Sequence, residues 1–326
     1  MKPDQKSLRI GAAVILLAVF LRFLPHLSQL RNNSEFAAGM LFAATGRVYS
    51  VSPATAETSV PEETLPEESQ PEPTEKIPHD FSPEDAVLVS VTNHPGYSFD
   101  VETLLQQPLD WDLTATAPTV LIIHSHTSES YENTEGYTPS DPYRTMDERY
   151  NMVSIGTHLA DCLRKQGVSV IHDTSIHDYP SYNDAYPQSR KTIQRYLEQY
   201  PTICLVLDIH RDAYEDKNGN QIRNTVQING KASSQIMLVA GTDAGGQSHP
   251  DWEKNLSVAI KLQTVLQQIH PGLCRNLTIR SSAFNQDLSP GALLIEVGTA
   301  GDTRQDALYA AELLADGIAA LAHGST

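Results

Sequence analysis

Three side chains of this sequence have the types and the spacing of a metal site. His126 and Glu129 form an H-x-x-E pattern, and His210 follows further along the chain at the end of another apolar segment. Two imidazoles and one carboxylate would occupy three positions of a tetrahedral zinc ion and leave the fourth open to water. Zinc lowers the pKa of such a water to about 7, so that it can attack a carbonyl group at neutral pH. The pattern therefore predicts a Zn²⁺ site with hydrolytic chemistry.

Hydrolysis of an amide also needs a group that takes the proton of the water and passes it to the leaving nitrogen. Glu296 is the candidate for this role, because it stands inside the apolar segment Leu-Leu-Ile-Glu-Val-Gly at residues 293–298. Burying a lone charged carboxylate among apolar neighbours is costly, and such surroundings raise its pKa toward that of a working base. We predict Glu296 as the catalytic residue.

Two other residues compete for the metal. His124 precedes His126 by two positions, and side chains of a strand alternate, so both imidazoles are expected on the same face. One would bind the metal while the other supports it through a hydrogen bond. Glu148 competes with Glu129 as the carboxylate, because it lies at the start of a predicted helix. H-x-x-E alone is a weak signal, since histidines at strand ends are commonly structural.

The hydrophobic pattern predicts the elements that position these side chains. Helical spacing begins at Met152 and ends at Gly167, and it begins again at Trp252 and ends before Pro271. Further helices are predicted around residues 193–200 and 303–322. Apolar runs suited to buried strands occur at residues 120–123, 168–171, 203–209, 236–240 and 293–297.

Alternating strands and helices predict an α/β fold, a single three-layer domain with a mixed, largely parallel sheet. Asn229-Gly230 predicts one antiparallel hairpin. In an open α/β sheet, ligands bind beyond the carboxyl ends of the strands. Polar residues are concentrated there, with His126 after the first run, His210 at the end of the third and Glu296 within the last. The sheet would therefore bring the candidate residues together.

Charge divides the chain into parts. With 40 acidic and 23 basic residues the net charge is −17, which argues against a nucleic-acid partner. Residues 56–76 contain seven glutamates and four prolines, a composition that cannot bury an apolar core. We predict an extended acidic spacer at residues 31–82 and a catalytic domain at residues 83–326. The three cysteines, Cys162, Cys204 and Cys274, show no paired spacing and predict neither disulfides nor a cysteine zinc site.

The start of the chain predicts a membrane anchor. An apolar run at residues 8–24 follows two lysines and meets the lower length limit of about 17 residues for a bilayer span. No small-residue cleavage site follows it, which favours an anchor over a cleaved signal peptide. We therefore predict a single-pass membrane protein, with residues 1–30 as cytoplasmic terminus and anchor and the catalytic domain outside the cytoplasm. A cleaved signal would give the same compartment.

Four segments of the chain are recognisable, in this order: VLIIHSHTSESY at residues 120–131, SYNDAYPQSR at 181–190, LDIHRD at 207–212 and NQDLSPGALLIEVG at 285–298. Together they resemble the stage II sporulation protein P family, and the likeness extends from about residue 87 to the C-terminus. The anchor and spacer also match the family's layout.

This resemblance implies a zinc amidase-like or carboxypeptidase-like fold and a zinc-dependent N-acetylmuramoyl-L-alanine amidase. Such an enzyme is a peptidoglycan hydrolase that frees the stem peptide from muramic acid, and some members also cleave within the peptide cross-link. The resemblance further implies membrane anchoring, a role in engulfment of the forespore, and stage II sporulation proteins D and M as partners.

The resemblance also implies that zinc binding and catalysis fall on the segment containing His124, His126 and Glu129, on His210, and on Glu296. Arg211 and Asn285 lie next to these segments and are predicted to bind a carboxylate or amide of the stem peptide. For Arg211 and Asn285, a purely structural role is an equally good interpretation. Two alternatives remain for the whole protein: an exported zinc carboxypeptidase or endopeptidase acting on wall peptides, and a wall-binding scaffold without activity.

Overall fold

The computed structural model describes residues 81–109, 111–132, 134–137 and 143–323. The predicted anchor and nearly all of the predicted spacer lie outside these ranges. Within these ranges, no helix has the length and apolar character needed to cross a bilayer. The three cysteines are free, as their spacing predicted.

The described residues form nine strands and five α-helices. The strands are β1 (Val91–Asn93), β2 (Val120–Ile123), β3 (Val170–His172), β4 (Leu205–Asp212), β5 (Thr225–Ile228), β6 (Lys231–Ser234), β7 (Ile236–Gly241), β8 (Leu277–Arg280) and β9 (Ala292–Thr299). The helices are α1 (Val101–Gln106), α2 (Met152–Lys165), α3 (Ala185–Gln199), α4 (Trp252–Ile269) and α5 (Arg304–His323). Short 3₁₀ turns occur at Pro83–Leu88, Tyr182–Asp184 and Gln286–Leu288.

Seven strands form one sheet in the order β1-β8-β7-β9-β4-β2-β3. Neighbouring strands are parallel except β7 and β9, which are antiparallel. The prediction of a mixed, largely parallel sheet is thus confirmed. Strands β5 and β6 form a separate antiparallel hairpin. Asn229 and Gly230 connect them with φ angles of 50° and 78°, the left-handed conformation that a tight hairpin turn requires.

Helices cover both faces of the sheet. The larger core joins α2, α4 and α5 to one face, and a smaller cluster joins α3 to the opposite face of β2 and β4. Strands β2 and β7 are buried along their whole length, as expected for a parallel sheet covered on both sides. Side chains along the central strands therefore alternate between the two helical layers. Beyond the ends of these strands, side chains face open space.

Helix α2 begins and ends where the sequence predicts. The Asn151 side chain accepts a hydrogen bond of 3.0 Å from the Val153 amide and caps the first turn of α2. Gly167, with a φ of 81°, ends the helical run after its last turn. The predicted strands and helices all occur, most of them with shifted ends, whereas the sequence analysis did not predict α1, β1 and β8.

Candidate functional site

The carboxyl ends of β2, β4 and β9 meet at one edge of the sheet and border a cavity of about 390 Å³. His210 is near the end of β4, directly opposite Glu296 on the neighbouring strand β9. Strand β2 ends at Ile123, and the turn that follows brings His126 to the same cavity. The residues lining the cavity include His126, Glu129, Arg144, Tyr182, Tyr186, His210, Arg211, Asp212, Arg280, Phe284 and Glu296.

His126 is held in the cavity by aromatic contacts. Its ring stacks on Tyr182, with 4.3 Å between centroids, and meets the ring of His210 edge-on at 5.4 Å. The buried Nδ1 atom has no hydrogen-bond partner among the described residues. Burial lowers the pKa of His126, which favours the neutral imidazole that binds metals.

Glu129 is a buried carboxylate fixed by two arginines. Its Oε1 atom lies 3.2 Å from Nη1 of Arg211 and 3.7 Å from Nη2 of Arg144. The backbone amide of Arg211 donates a further hydrogen bond of 3.3 Å to Oε2. Burial alone raises the pKa of Glu129, but Arg211 and His210 outweigh it and lower the pKa to about 2. This carboxylate therefore remains charged at neutral pH.

His210 lies between two carboxylates. Its Nδ1 atom is 3.5 Å from Oε2 of Glu129, and its Nε2 atom is 2.9 Å from Oδ1 of Asp208. Burial lowers the pKa of this imidazole, but the two carboxylates outweigh burial and raise it well above its ordinary value. The same negative surroundings would favour a cation in the cavity.

Glu296 differs from the other carboxylates of the cavity. Burial raises the pKa of this group to about 8. Its Oε2 atom has no hydrogen-bond partner among the described residues. A carboxylate with such a pKa can both accept and donate a proton near neutral pH, as general acid–base catalysis requires.

The donors fit zinc in their chemistry and partly in their spacing. Within the described ranges, no group of three or more His, Cys, Asp or Glu side chains is spaced to hold a metal ion. Two ligand atoms of a tetrahedral zinc ion lie about 3.4 Å apart, and Nδ1 of His210 is 3.5 Å from Oε2 of Glu129. The unpartnered Nδ1 of His126 would supply a third donor. Two imidazoles and one carboxylate are a common zinc set.

His124 lies outside this cavity. Its Nδ1 atom is 2.9 Å from the Ile209 carbonyl oxygen, and its Nε2 atom is 2.9 Å from Nε2 of His172 beneath α2. The expectation that His124 and His126 share a face was wrong, because β2 ends at Ile123 and the alternation of a strand stops there. His126 is thus the histidine of this segment that reaches the cavity. Glu148, the competing carboxylate, is exposed ahead of α2 and does not line the cavity.

Both residues predicted to bind substrate are engaged in contacts within the domain. Arg211 lines the cavity, but its guanidinium donates to Glu129, to the Ser130 carbonyl and to the Tyr143 carbonyl at 2.7–3.2 Å. It therefore positions Glu129. Asn285 lies outside the cavity, where its amide donates to the Tyr186 carbonyl. The structural interpretation is the one that these contacts favour for both residues.

The sequence analysis missed several residues in and around the cavity. Asp208 does not line the cavity but contacts His210, which it precedes by two positions on β4, so strand alternation would have placed both on one face. The Asp208 carboxylate accepts hydrogen bonds from the Ser125 amide at 2.8 Å and the Ser125 hydroxyl at 2.6 Å. Tyr182 and Tyr186 lie in the second recognised segment, at residues 181–190, which gave no chemical signal by itself. Arg144 and Arg280 had no signal in the sequence.

The fold and the cavity define an α/β protein with a histidine- and carboxylate-lined site at the carboxyl edge of a largely parallel sheet. The sequence profile described as Stage II sporulation protein P (SpoIIP) matches residues 36–319. The chain belongs to this family. It is 26% identical over 219 residues to Stage II sporulation protein P of Bacillus subtilis (strain 168), which covers 62% of this chain and 51% of that protein. The chain thus spans about half the length of this curated relative.

Solved structures of two amidases are also similar to the chain. The N-acetylmuramoyl-L-alanine amidase from Clostridium difficile 630 covers 64% of this chain and 95% of its own, with 18% identity and a TM-score of 0.37. The N-acetylmuramyl-L-alanine amidase Ami1 from Mycobacterium smegmatis covers 65% and 98%, with 12% identity and a TM-score of 0.38. These TM-scores are too low to assign a shared fold.

Proposed function

We propose that this protein is a peptidoglycan hydrolase, and specifically a zinc-dependent N-acetylmuramoyl-L-alanine amidase. The observation that supports the chemistry most directly is the pairing of Glu296, whose pKa is raised to about 8, with His210 across adjacent strands. Membership of the Stage II sporulation protein P family supports the substrate. The alignment covers about half the length of the Bacillus subtilis relative, so the activity of the whole protein is proposed as well.

His126, Glu129 and His210 would hold the zinc ion. When bound, zinc supplies Lewis-acid activation of the attacking water and of the amide carbonyl. Asp208 orients His210 from one side, and Arg211 fixes the carboxylate of Glu129. Both partners restrict the rotation of the ligand side chains, as outer partners of metal ligands do.

Glu296 would perform the proton transfers. In its ionised form it accepts a proton from water as the new carbon–oxygen bond forms at the lactyl carbonyl. It then delivers that proton to the alanine nitrogen as the carbon–nitrogen bond breaks, which releases a neutral amine. The proton and both bonds balance over one cycle, and Glu296 returns to its starting state.

We further propose that the domain acts outside the cytoplasm, anchored through residues 8–24, and works with stage II sporulation proteins D and M during engulfment. The apolar run of the sequence and the family membership support this part. As an additional activity, we propose that the enzyme cleaves within the peptide cross-link.

The test is a digest of purified peptidoglycan by the full chain in detergent, with chelator and after re-addition of Zn²⁺, analysed by mass spectrometry. We expect whole stem peptides freed from glycan, loss of activity with chelator and recovery with zinc. Products that keep alanine on muramic acid would establish a carboxypeptidase or endopeptidase instead. Wall binding without chelator-sensitive hydrolysis would establish the scaffold alternative.

A further inference from the structure

One arginine side chain at the cavity has no partner among the described residues. Arg280 is the last residue of β8 and is exposed, unlike the three buried residues before it. It lines the same cavity as Glu296. An exposed guanidinium at a cavity wall has five donors free for a ligand, and it matches a carboxylate with two parallel hydrogen bonds.

The other charged groups of the cavity, apart from Glu296, are engaged in ion pairs, and His210 lies between the carboxylates of Glu129 and Asp208. Arg144 and Arg211, the two other arginines, are both within reach of Glu129 and so cannot pair freely with a ligand. The ion pairs are Arg144 with Asp178 at 3.1 Å, Arg211 with Glu129 at 3.2 Å, and Asp212 with Arg275 at 2.8 Å. Arg280 is therefore the cavity arginine that is left for an anion within the described residues.

The wall next to Arg280 is apolar. Val239 of β7 and Leu294 of β9 are 3% exposed and line the cavity together with Phe284. Val239 and Leu294 are register partners on neighbouring strands, and Leu294 precedes Glu296 by two positions on the same face. A ligand that reaches from Glu296 to Arg280 thus passes an apolar surface and ends at a positive charge.

We propose that Arg280 binds a free carboxylate of the peptide part of the substrate and so selects an acidic peptide as the leaving group. The inference rests on the proposed amidase function. In the amide that would be cleaved, the lactyl carboxyl of the sugar is already bonded to nitrogen, whereas the stem peptide has free carboxylates. With its carboxylate bound to Arg280, the peptide lies on the β8 side of the cavity, and the glycan lies on the opposite side.

The experiment measures the steady-state kinetics of the zinc-loaded full chain on soluble N-acetylmuramoyl peptides. In this series each free carboxylate is replaced in turn by a carboxamide. We expect one carboxamide to raise KM by about 10-fold to 100-fold, the size of a lost charge-assisted hydrogen-bonded pair. Arg280→Gln should raise KM for the carboxylate form by the same factor and leave the carboxamide form unchanged. Arg280→Lys should recover part of the affinity, because it keeps the charge without the planar geometry.

Arg149→Gln is the matched control, because Arg149 is an exposed arginine that pairs with Asp147 and does not line the cavity. It should leave KM for every substrate of the series unchanged. An equal rise of KM for carboxylate and carboxamide forms in Arg280→Gln would overturn the inference. So would an unchanged KM, or a fall in kcat alone.

Failure of the proposed function is a separate result. If the wild-type chain hydrolyses none of the peptides, binding of the same series is measured by calorimetry. Weaker binding of the carboxylate form alone in Arg280→Gln would still support the carboxylate site. Equal affinities of wild type and variant for that form, or no binding by the wild type, would overturn it.

Discussion

His210 and Glu296 are register partners on the adjacent parallel strands β4 and β9, and both face the same cavity. Neighbouring strands lie about 4.8 Å apart, so the backbone fixes the separation of the two residues regardless of loop movement. A candidate metal ligand and a candidate base are thus set by the most rigid part of the fold. Residues on loops, such as His126, must be positioned by packing instead.

Glu296→Gln should lower kcat by at least 10²-fold, because the amide cannot accept the proton of water. Zinc affinity should change little, since the proposed ligands are other residues. The measurement combines peptidoglycan hydrolysis with zinc content after dialysis. Glu148→Gln, an exposed glutamate outside the cavity, is the control and should remain active. Substantial turnover by Glu296→Gln would exclude it as the base.

Arg211→Gln should destabilise the domain by about 3–5 kcal/mol, because it breaks a buried ion pair and leaves the charged Glu129 poorly compensated. Zinc affinity should fall as well, since Arg211 fixes this carboxylate. Urea unfolding and zinc titration measure the two effects.

Arg223→Gln serves as the control for Arg211→Gln. Arg223 is 51% exposed by side chain and pairs with Asp306 at 2.7 Å. Solvent reaches the Arg223 end of this pair although Asp306 is buried, so loss of the pair should cost less than loss of the Arg211 pair, about 1–2 kcal/mol. Equal effects of the two substitutions would show that the buried pair is not the cause.

The longer helices and strands and the candidate base could be predicted from the sequence, because each depends on a pattern of neighbouring residues. The apolar run of β2 and the turn residues Asn229-Gly230 specify their structures within a few residues. Glu296 was identifiable because a carboxylate in an apolar strand is chemically conspicuous. Strand β1 was missed because three residues give too short a pattern, and β8 because its four residues alternate only weakly.

The roles of Arg211, Asn285 and His124 depended on partners that are distant in sequence. Arg211 bonds to Glu129 across 82 positions, and Asn285 to Tyr186 across 99. No spacing rule predicts such pairs, since they follow from the order of strands in the sheet. The position of His124 depended on where β2 ends, and strand ends are the least certain feature of a hydrophobic pattern.

His172→Asn should make the domain less sensitive to acid. Burial and Arg164 lower the pKa of His172 to about 4, below the ordinary value of 6.5 that the unfolded chain has. Unfolding therefore takes up a proton between pH 6.5 and pH 4, and stability falls as pH falls through this window.

Urea unfolding at pH 7 and pH 5 measures this effect. The wild type should lose about 1–2 kcal/mol more than His172→Asn between the two pH values. Zinc should be absent from both samples, so that metal release does not contribute. Parallel losses in the two proteins would show that His172 titrates normally in the folded state.

Gly156→Ala should destabilise the protein, although alanine is the better helix former by about 1 kcal/mol. A Cβ atom at this position of α2 would clash with Nε2 of His124 and lie 2.5 Å from Nε2 of His172. Both rings are packed, and His124 is fully buried, so the helix must shift away from the sheet. We expect a net loss of about 1–3 kcal/mol by thermal or urea unfolding, as for other overpacked cores.

The control for this substitution is Lys165→Ala, in the last turn of α2, where the side chain is exposed. It should change stability by no more than about 0.5 kcal/mol, as surface substitutions do. A stabilised Gly156→Ala variant would contradict this prediction, because it would show that neither His124 nor His172 packs against α2 at this position.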